Sequence, residues 1–243
     1  MPARLYLDAP IAAGTEIDLP PGPARHAQVL RLQPGTPLVL FDGRGGEFDA
    51  EVSRMGRGDV RVRVGAHRAV DRELARSVTL ALGMPANERM DALVEKATEL
   101  GAAAIVPLVC ERSVLRLHGE RAQKKQSHWR GVAVAAAEQC GRTRLTEVHA
   151  VTALTAWLQH LAAAPATARW LLDPGEATSL SSLTRSLGDE RVLLLSGPEG
   201  GFSAAERGLA LAAGFVAVSL GLRVLRADTA PLAALACIGS QEN

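Results

Sequence analysis

The feature that most constrains the fold is an alternation of short apolar segments with amphipathic helical segments, which begins near residue 71. Val192 to Leu195 is a nearly continuous apolar run, typical of a strand that is buried on both faces. Positions 90, 93, 94, 97 and 100 carry apolar residues on one helical face, and Gly101 is placed to end that helix. This alternation predicts an α/β fold with a mostly parallel sheet that is covered on both faces.

The same reasoning places the other elements of this region. Ser203 and Glu206 form the pattern of a capping box, which predicts a helix that runs to Gly214. Further strands are predicted over 77–82, 105–109, 170–172 and 215–220, and further helices over 129–140 and near Pro231.

The first 70 or so residues have a different pattern, with short strands and frequent turns. Asp42 to Gly46 lies between two predicted strands, the apolar segment 38–41 and the alternating segment 48–52, and predicts a hairpin. Val60 to Val64 alternates valine with arginine, which predicts a half-buried strand with basic residues on one face. We therefore predict a small β-barrel domain over 1–71 and an α/β domain over 72–243.

Composition and charge say little about the partner of this protein. The net charge of +1 gives no sign of a nucleic-acid partner. Only three of the basic residues are lysines, and arginine suits phosphate and base recognition, although genome base composition explains most of this bias.

The cysteines and the apolar stretches indicate the compartment. Cys110, Cys140 and Cys237 are scattered without metal-ligand spacing, so we expect no metal and a reducing environment. The N-terminus has no signal-peptide pattern, and the longest apolar stretch, 208–222, is shorter than the ~20 residues of a membrane span. We expect a cytoplasmic protein without a membrane partner.

A glycine-rich loop, Ser196 to Phe202, follows the apolar strand and precedes the capped helix. Ligands of parallel sheets bind beyond the carboxyl ends of strands, and glycines allow the backbone to approach a ligand closely. A plain turn that requires a positive φ explains the glycines about equally well. The loop matches neither of the usual dinucleotide and P-loop patterns.

A second polar loop, Ser219 to Ala230, follows the next predicted strand. Asp228 or Thr229 could simply cap the last helix, and Arg226 could form a surface ion pair. Because each loop follows a strand, a shared pocket explains the pair better if the two strands adjoin.

Basic residues are frequent between Glu111 and Arg144, where a solvated helix face is the plain alternative. Arg112, Gln139 and Arg142 flank the ends of elements, where functional side chains often lie. His26 alone is more often a packed or surface residue than a catalyst.

Several motifs in order resemble the RsmE family, the bacterial 16S ribosomal RNA uridine-N3 methyltransferases of the SPOUT class. The motifs span nearly the whole chain, and the family pattern reads Thr-Glu-Thr-Ala where this chain has Ala-Asp-Thr-Ala at 227–230. The matching stretches are residues 26–31, 89–101, 111–113, 137–142, 197–202 and 220–230.

The resemblance implies an N-terminal PUA-like β-barrel, a C-terminal α/β domain tied in a trefoil knot, and a homodimer with its active site at the subunit interface. It implies S-adenosylmethionine as the cofactor and 16S rRNA of the small ribosomal subunit as the partner. Arg112 and Arg142 could then face the cofactor pocket of the other chain. The residues expected to hold the cofactor are Leu172, Leu195, Gly197, Pro198, Glu199, Gly200, Gly201, Leu220, Gly221, Leu225, Arg226, Thr229 and Ala230.

For catalysis we expect Arg226 to stabilise a uracil anion and Asp228 to accept its proton or to orient Arg226. Two alternatives stay open, a knotted methyltransferase that modifies a ribose 2′-hydroxyl or a guanine nitrogen, and a non-catalytic assembly factor. The residues expected to contact RNA, with phosphate as the default target, are Arg4, His26, Arg31, Arg61, Arg63, Arg112, Gln139 and Arg142.

Overall fold

The computed structural model describes residues 2–86, 88–161, 167–175, 178–188 and 190–241. The chain divides into two compact units. The first comprises Met1–Glu73 and Val134–Leu145, and the second comprises Leu74–Ala133 and Thr146–Asn243. The predicted domain boundary between residues 71 and 72 stays a prediction, and the structure adds residues 134–145 to the N-terminal unit.

The first unit is built on one five-stranded sheet in the order β1-β3-β4-β5-β2. The pair β1–β3 is parallel and the other pairs are antiparallel, and the predicted hairpin is confirmed as β3–β4. The elements are β1 (Ala3–Tyr6), β2 (Glu16–Asp18), α1 (Pro21–Val29), β3 (Pro37–Phe41), β4 (Glu47–Met55) and β5 (Val60–Arg68). Sequence reasoning missed β2 and α1, although Pro21 suits the first position of a helix.

The predicted alternation along β5 is confirmed. Val60, Val62 and Val64 are buried in the core of this unit. Arg61 points outward and forms two hydrogen bonds of 2.8 Å with Asp18 of β2. The basic face of β5 is therefore partly neutralised by the neighbouring strand.

A buried carboxylate organises the first unit. The side chain of Glu47 is only 1% exposed and accepts from Arg68 at 2.8 Å, from Arg72 at 3.2 Å and from Arg4. These arginines come from β1, β5 and the segment that follows β5. Burial alone raises the pKa of Glu47, but hydrogen bonds from Arg4 and Arg72 outweigh it and hold that pKa below its ordinary value.

Two arginines predicted to contact RNA belong to this buried network. Arg142 is 3% exposed and its guanidinium binds Glu73, with one contact at 3.0 Å. Arg4 is buried, and besides Glu47 it donates to the backbone carbonyl of Arg142 at 3.0 Å. We correct these two assignments, because a buried guanidinium that is held by carboxylates does not reach a phosphate or another chain's pocket.

The second unit contains the predicted parallel sheet, in the order β12-β10-β11-β6-β7-β8, with β9 also paired to β7. Every strand pair in it is parallel. The elements are β6 (Val78–Gly83), α2 (Glu88–Glu99), β7 (Ala104–Val109), α3 (Gly119–Cys140), β8 (Glu147–Val148), β9 (Thr152–Ala153), α4 (Leu154–Gln159), β10 (Thr167–Leu172), α5 (Leu180–Arg185), β11 (Arg191–Ser196), α6 (Ala204–Ala212), β12 (Val216–Val218) and α7 (Thr229–Gly239).

Both faces of this sheet are covered. In β11, Val192 and Leu194 pack into one core while Leu193 and Leu195 pack into another on the opposite face. The near-continuous apolar sequence of β11 follows from this double burial. The predicted α/β class is confirmed, whereas the trefoil knot stays a prediction.

Helices α2 and α3 are tied together by Asp91. Its carboxylate accepts from the indole Nε1 of the fully buried Trp129 at 2.8 Å and lies 2.8 Å from Nε2 of His128. Burial raises the pKa of Asp91, but the bonds to His128 and Trp129 outweigh that effect and lower it below its ordinary value. The N-terminal turn of α2 is therefore held firmly against α3.

Within the described part of the chain, no helix combines the length and apolar character that a membrane crossing requires.

We expect Glu47→Gln to destabilise the protein by about 3–5 kcal/mol, because it leaves three arginines without their buried carboxylate. Since the pKa of Glu47 is lowered on folding, its contribution is complete above the ordinary value of 4.5 and is lost as pH falls through the folded value. Urea denaturation from pH 7 to pH 3 measures both effects, and the variant should lose less stability on acidification.

Glu51→Gln is the matched control, because Glu51 is exposed and lies 4.0 Å from Arg63. Its effect should stay within about 0.5 kcal/mol. Equal stabilities for the Glu47 and Glu51 variants would show that the buried network does not organise the unit.

Candidate active site

A cavity of about 620 Å³ lies in the second unit at the carboxyl ends of β10, β11 and β12. This volume is typical of a small-molecule site. The cavity is lined by Arg89, Leu172, Asp173, Pro174, Ser196, Gly197, Pro198, Glu199, Gly201, Phe202, Arg207, Val218, Leu220, Arg223, Val224, Leu225, Arg226, Ala227 and Ala230.

The expectation that the two loop-bearing strands adjoin is wrong. Strand β10 lies between β11 and β12, and Trp170 pairs with Leu194 on one side and Val216 on the other. The two loops still share one cavity, because parallel strands end at the same edge and two strand spacings amount to only about 10 Å. The turn after β10 supplies a third wall at Asp173 and Pro174.

The glycine loop after β11 has the positive φ of a plain turn at one glycine and tight packing against Arg112 at another. Gly201 has a φ of 66° and its N–H donates to the carbonyl of Pro198 at 2.8 Å, which is a tight turn. A Cβ on Gly200 would lie 2.9 Å from the Cβ of Arg112. A positive φ and a close approach thus account for different glycines of one loop.

Glu199 connects this loop to the start of α2. Its Oε1 accepts from the backbone N–H of Ala86 at 3.0 Å and lies 3.4 Å from a guanidinium nitrogen of Arg89. These contacts favour a role for Glu199 in shaping the loop over one in holding a ribose hydroxyl of the cofactor.

An ion pair that the sequence did not indicate holds the turn that follows β10. Asp173 accepts from Nε of Arg207 at 2.8 Å and from the N–H of Gly175 at 3.0 Å. Burial raises the pKa of Asp173, but these bonds outweigh it and leave the pKa below its ordinary value. The carboxylate therefore stays ionised and fixes the turn after β10.

The second loop ends in a backbone turn rather than a side-chain cap. The carbonyl of Arg226 accepts from the N–H of Thr229 at 3.0 Å and of Ala230 at 2.9 Å. Asp228 occupies the N-cap position of α7 but its side chain makes no capping bond. Its Oδ1 is buried and has no hydrogen-bond partner among the described residues.

The ionisable groups of the cavity leave a surplus of positive charge. Four arginines and two carboxylates line it. The carboxylates of Asp173 and Glu199 already face Arg207 and Arg89. The exposed side chains of Arg223 and Arg226 form no ion pair with any residue that the structure describes. The cavity thus favours an anionic partner.

The structure brings most of the proposed cofactor residues together. Leu195 is fully buried inside β11, Gly200 faces Arg112, and Gly221, Asp228 and Thr229 lie in the second loop without lining the cavity. The proposed residues that line the cavity are Leu172, Gly197, Pro198, Glu199, Gly201, Leu220, Leu225, Arg226 and Ala230.

The remaining proposed RNA contacts lie in both units. In the second unit, the exposed Arg112 donates to the carbonyl of Gly200 at 3.2 Å. In the first unit, His26 lies 3.2 Å from the carboxylate of Glu138. Gln139 and Arg31 are exposed.

Arg61 and Arg63 are engaged by acidic residues of the first unit. The guanidinium of Arg61 binds Asp18, and that of Arg63 lies 3.4 Å from Glu16 and 4.0 Å from Glu51.

Sequence reasoning missed Asp173, Arg207, Arg89 and Phe202 in the cavity wall. The turn signal Asp-Pro-Gly at 173–175, directly after a predicted strand, was available for the first of them. Arg207 and Arg89 lie on helices, and nothing in the local sequence marks the face that turns toward a ligand.

Two family models match the chain, and together they define a class. Residues 72–239 match the RNA methyltransferase domain, and residues 24–65 match the RNA methyltransferase PUA domain. The fold and the cavity are thus those of an RNA methyltransferase that carries a PUA domain.

Relatives narrow this class. Ribosomal RNA small subunit methyltransferase E of Synechocystis sp. is 34% identical over 88% of this chain and 69% of its own length. The Bacillus subtilis protein of the same name is 32% identical over 88% of this chain and 85% of its own. The chain belongs to the ribosomal RNA small subunit methyltransferase E family, which confirms the family resemblance.

A solved structure agrees over the whole chain. The Neisseria gonorrhoeae ribosomal RNA small subunit methyltransferase E, bound to S-adenosyl methionine, has a TM-score of 0.92 and 32% identity, and the match covers 99% of this chain and 98% of that one.

We expect Gly83→Ala to destabilise the protein by about 1–3 kcal/mol, because the new Cβ would lie 2.6 Å from the backbone nitrogen of Pro198 and push the glycine loop away. Urea denaturation measures the loss. Gly208→Ala in α6 is the control, because nothing lies within 4 Å of its Cβ and alanine should add about 0.5–1 kcal/mol. Equal effects of the two changes would contradict the close packing of this loop.

Proposed function

We propose that this protein transfers the methyl group of S-adenosylmethionine to N3 of a uridine in bacterial 16S ribosomal RNA. The observation that carries the proposal is the cavity at the ends of β10, β11 and β12, in a chain that belongs to a ribosomal RNA methyltransferase family. A relative of the same fold binds S-adenosyl methionine, which supports the same cofactor here.

The residues of the cavity fit this cofactor. Leu172, Val218, Leu220 and Leu225 give the cavity an apolar part that suits an adenine ring. Gly201 has no atom within 4 Å of its Cβ position, so its backbone is open to a ligand. When bound, the cofactor supplies an electrophilic methyl group on a sulfonium.

We assign the adenosine part to backbone groups of the two loops. The backbone of Gly197, Leu220 and Leu225 would hold it, and the backbone of Leu195 would contribute from the end of β11. Gly201 permits the close approach, and Pro198, Gly200, Gly221, Thr229 and Ala230 complete the two turns. Glu199 holds the first turn in place through Ala86.

The chemical problem is the proton on uracil N3. Its pKa lies about two to three units above neutrality, so removing this proton at pH 7 costs about 3–4 kcal/mol. Arg226 lines the cavity and its guanidinium is free to face a carbonyl oxygen of the base, which stabilises the anion. Asp228 does not line the cavity, and its buried Oδ1 has no partner among the described residues, so it is our candidate either for the proton acceptor or for the group that orients Arg226. The base must be unpaired or flipped out, because N3 lies on its pairing edge.

The first unit would grip the RNA. Arg31 is exposed, and among the described residues it is the only one other than glycine with a positive φ, 55°. Strained backbone of this kind is concentrated at functional sites. We propose phosphate contacts for Arg31, His26 and Gln139, and for the exposed edges of Arg61 and Arg63. Arg112 would act from the rim of the glycine loop.

We also propose a homodimer. Leu222 and Val224 in the second loop are almost fully exposed in the single chain. Apolar side chains beside a binding cavity suit a surface that a second copy covers, and a two-fold axis repeats the same patch on both chains. Gel filtration with light scattering tests this proposal, and a monomer at micromolar concentration would contradict it.

The position of the methyl group is tested by reverse transcription of 16S rRNA from a strain that lacks the gene. Methylation at N3 blocks base pairing and stops the polymerase, so the wild-type strain should show a strong stop that the deletion removes. A weak stop would instead indicate a ribose methyl. An unchanged stop pattern together with no cofactor binding in calorimetry would favour a non-catalytic assembly factor.

We expect Arg226→Ala to lower kcat by about 10²–10³-fold. Removing one hydrogen-bond donor from the oxyanion hole of an enzyme has an effect of this size. Binding of S-adenosylmethionine should persist, because the turn is held by the backbone carbonyl of Arg226, which the variant keeps. Single-turnover methylation measures the rate and calorimetry measures the binding. Arg185→Ala, an exposed change on α5, is the control, and full activity of the Arg226 variant would remove the catalytic assignment.

A further inference from the structure

We propose that Arg89 binds a backbone phosphate of the RNA beside the target nucleotide. The proposal rests on the function proposed above and adds a substrate-binding residue to that site. Arg89 lines the cavity, yet it belongs to the first turn of α2 rather than to any of the loops after the three strands.

Most N–H donors of the Arg89 guanidinium are unpaired among the described residues. Its contact with Glu199 is 3.4 Å long, whereas a charge-assisted hydrogen bond is typically about 2.7–2.9 Å. The side chain of Arg89 is 46% exposed. No other hydrogen bond or ion pair of this guanidinium is found among the described residues. The weak contact with Glu199 therefore leaves most of the planar fork available for an anion.

The backbone that carries Arg89 is fixed in advance. Asp91, two residues further along α2, binds Trp129 and His128 of α3 at 2.8 Å each. Ala86, three residues before Arg89, donates to Glu199 at 3.0 Å. Little backbone freedom is lost when a ligand binds, so the arginine is suited to a defined contact rather than to a diffuse attraction.

Glu199 has a distinct part in this arrangement. Its principal contact is the backbone N–H of Ala86, so it holds the glycine loop without needing Arg89. A phosphate that approached the cavity would compete with this carboxylate for the guanidinium and would win, because Glu199 is held by Ala86 and offers Arg89 one contact of 3.4 Å, whereas a phosphate is free to accept two parallel bonds from the fork. Glu199 thus keeps Arg89 beside the cavity until RNA arrives.

Phosphate is favoured over the other anion expected in this cavity, the carboxylate of the methyl donor. A half-exposed arginine at the rim can reach RNA that covers the opening, and the net positive charge of the lining suits a polyanion. The two anions are separated by measurement, because loss of a donor contact would weaken cofactor binding and loss of a phosphate contact would not.

The test measures RNA affinity by filter binding from 50 to 300 mM salt with a 16S rRNA fragment, and cofactor affinity by calorimetry. Arg89→Ala should weaken RNA binding by roughly fivefold at the lowest salt and reduce the slope of log affinity against log salt by about 0.7–1. KM for RNA should rise more than kcat falls, and cofactor affinity should stay unchanged. Arg89→Lys should recover part of the loss.

Glu199→Gln separates binding from loop shaping. If Arg89 binds phosphate, this variant keeps the salt slope and does not weaken RNA binding, because it removes the carboxylate that competes for the guanidinium while its amide oxygen can still accept from the N–H of Ala86. If Arg89 acts only by holding Glu199, the two variants behave alike. Arg185→Ala, which removes an exposed charge of the same unit outside the cavity, controls for net charge.

Three results would overturn the inference: an unchanged salt slope in Arg89→Ala, an equal loss in Glu199→Gln, or weakened cofactor binding in Arg89→Ala. Each of them can occur while the wild-type enzyme still methylates its RNA. Failure of the wild type to methylate any 16S rRNA overturns the proposed function instead, so the two failures are distinguishable.

Discussion

The candidate active site depends on the parallel pairing of β12, β10, β11 and β6, because parallel strands send all their following turns to one edge of the sheet. Three turns from distant parts of the sequence thereby enclose one cavity. β11 is buried on both faces, and Asp173 and Glu199 hold the flanking turns through Arg207 and Ala86. Side chains such as Arg226 and Arg89 then project from a fixed frame.

The two units use charge in different ways. In the first, arginines surround the buried Glu47, and these ion pairs hold the strands together. In the second, Arg223 and Arg226 stay exposed beside the cavity, where an anion can use them. Counting arginines in the sequence does not separate these roles, because the distinction lies in which carboxylate is near in space.

Much of the fold and part of the site could be predicted from the sequence. The helix of residues 88–99, the capping box of Ser203 and Glu206, and the alternation of Val60 to Val64 all appear as expected. These features depend on neighbours within a few residues. The two loops also lie together in the cavity, although β10 separates their strands.

What the sequence by itself determined was local: where the main strands and helices of the α/β unit lie, where glycine loops follow strands, and which motifs mark the family. Only the tertiary structure decided that Arg4 and Arg142 are buried, that the turn at Asp173 joins the cavity, and that Arg89 faces it. The physical reason is that periodicity reports how a residue is buried relative to its own helix or strand. The partner of a charge depends on contacts between segments 40 to 140 residues apart, such as Arg4 with Glu47 and Arg142, 43 and 138 residues away.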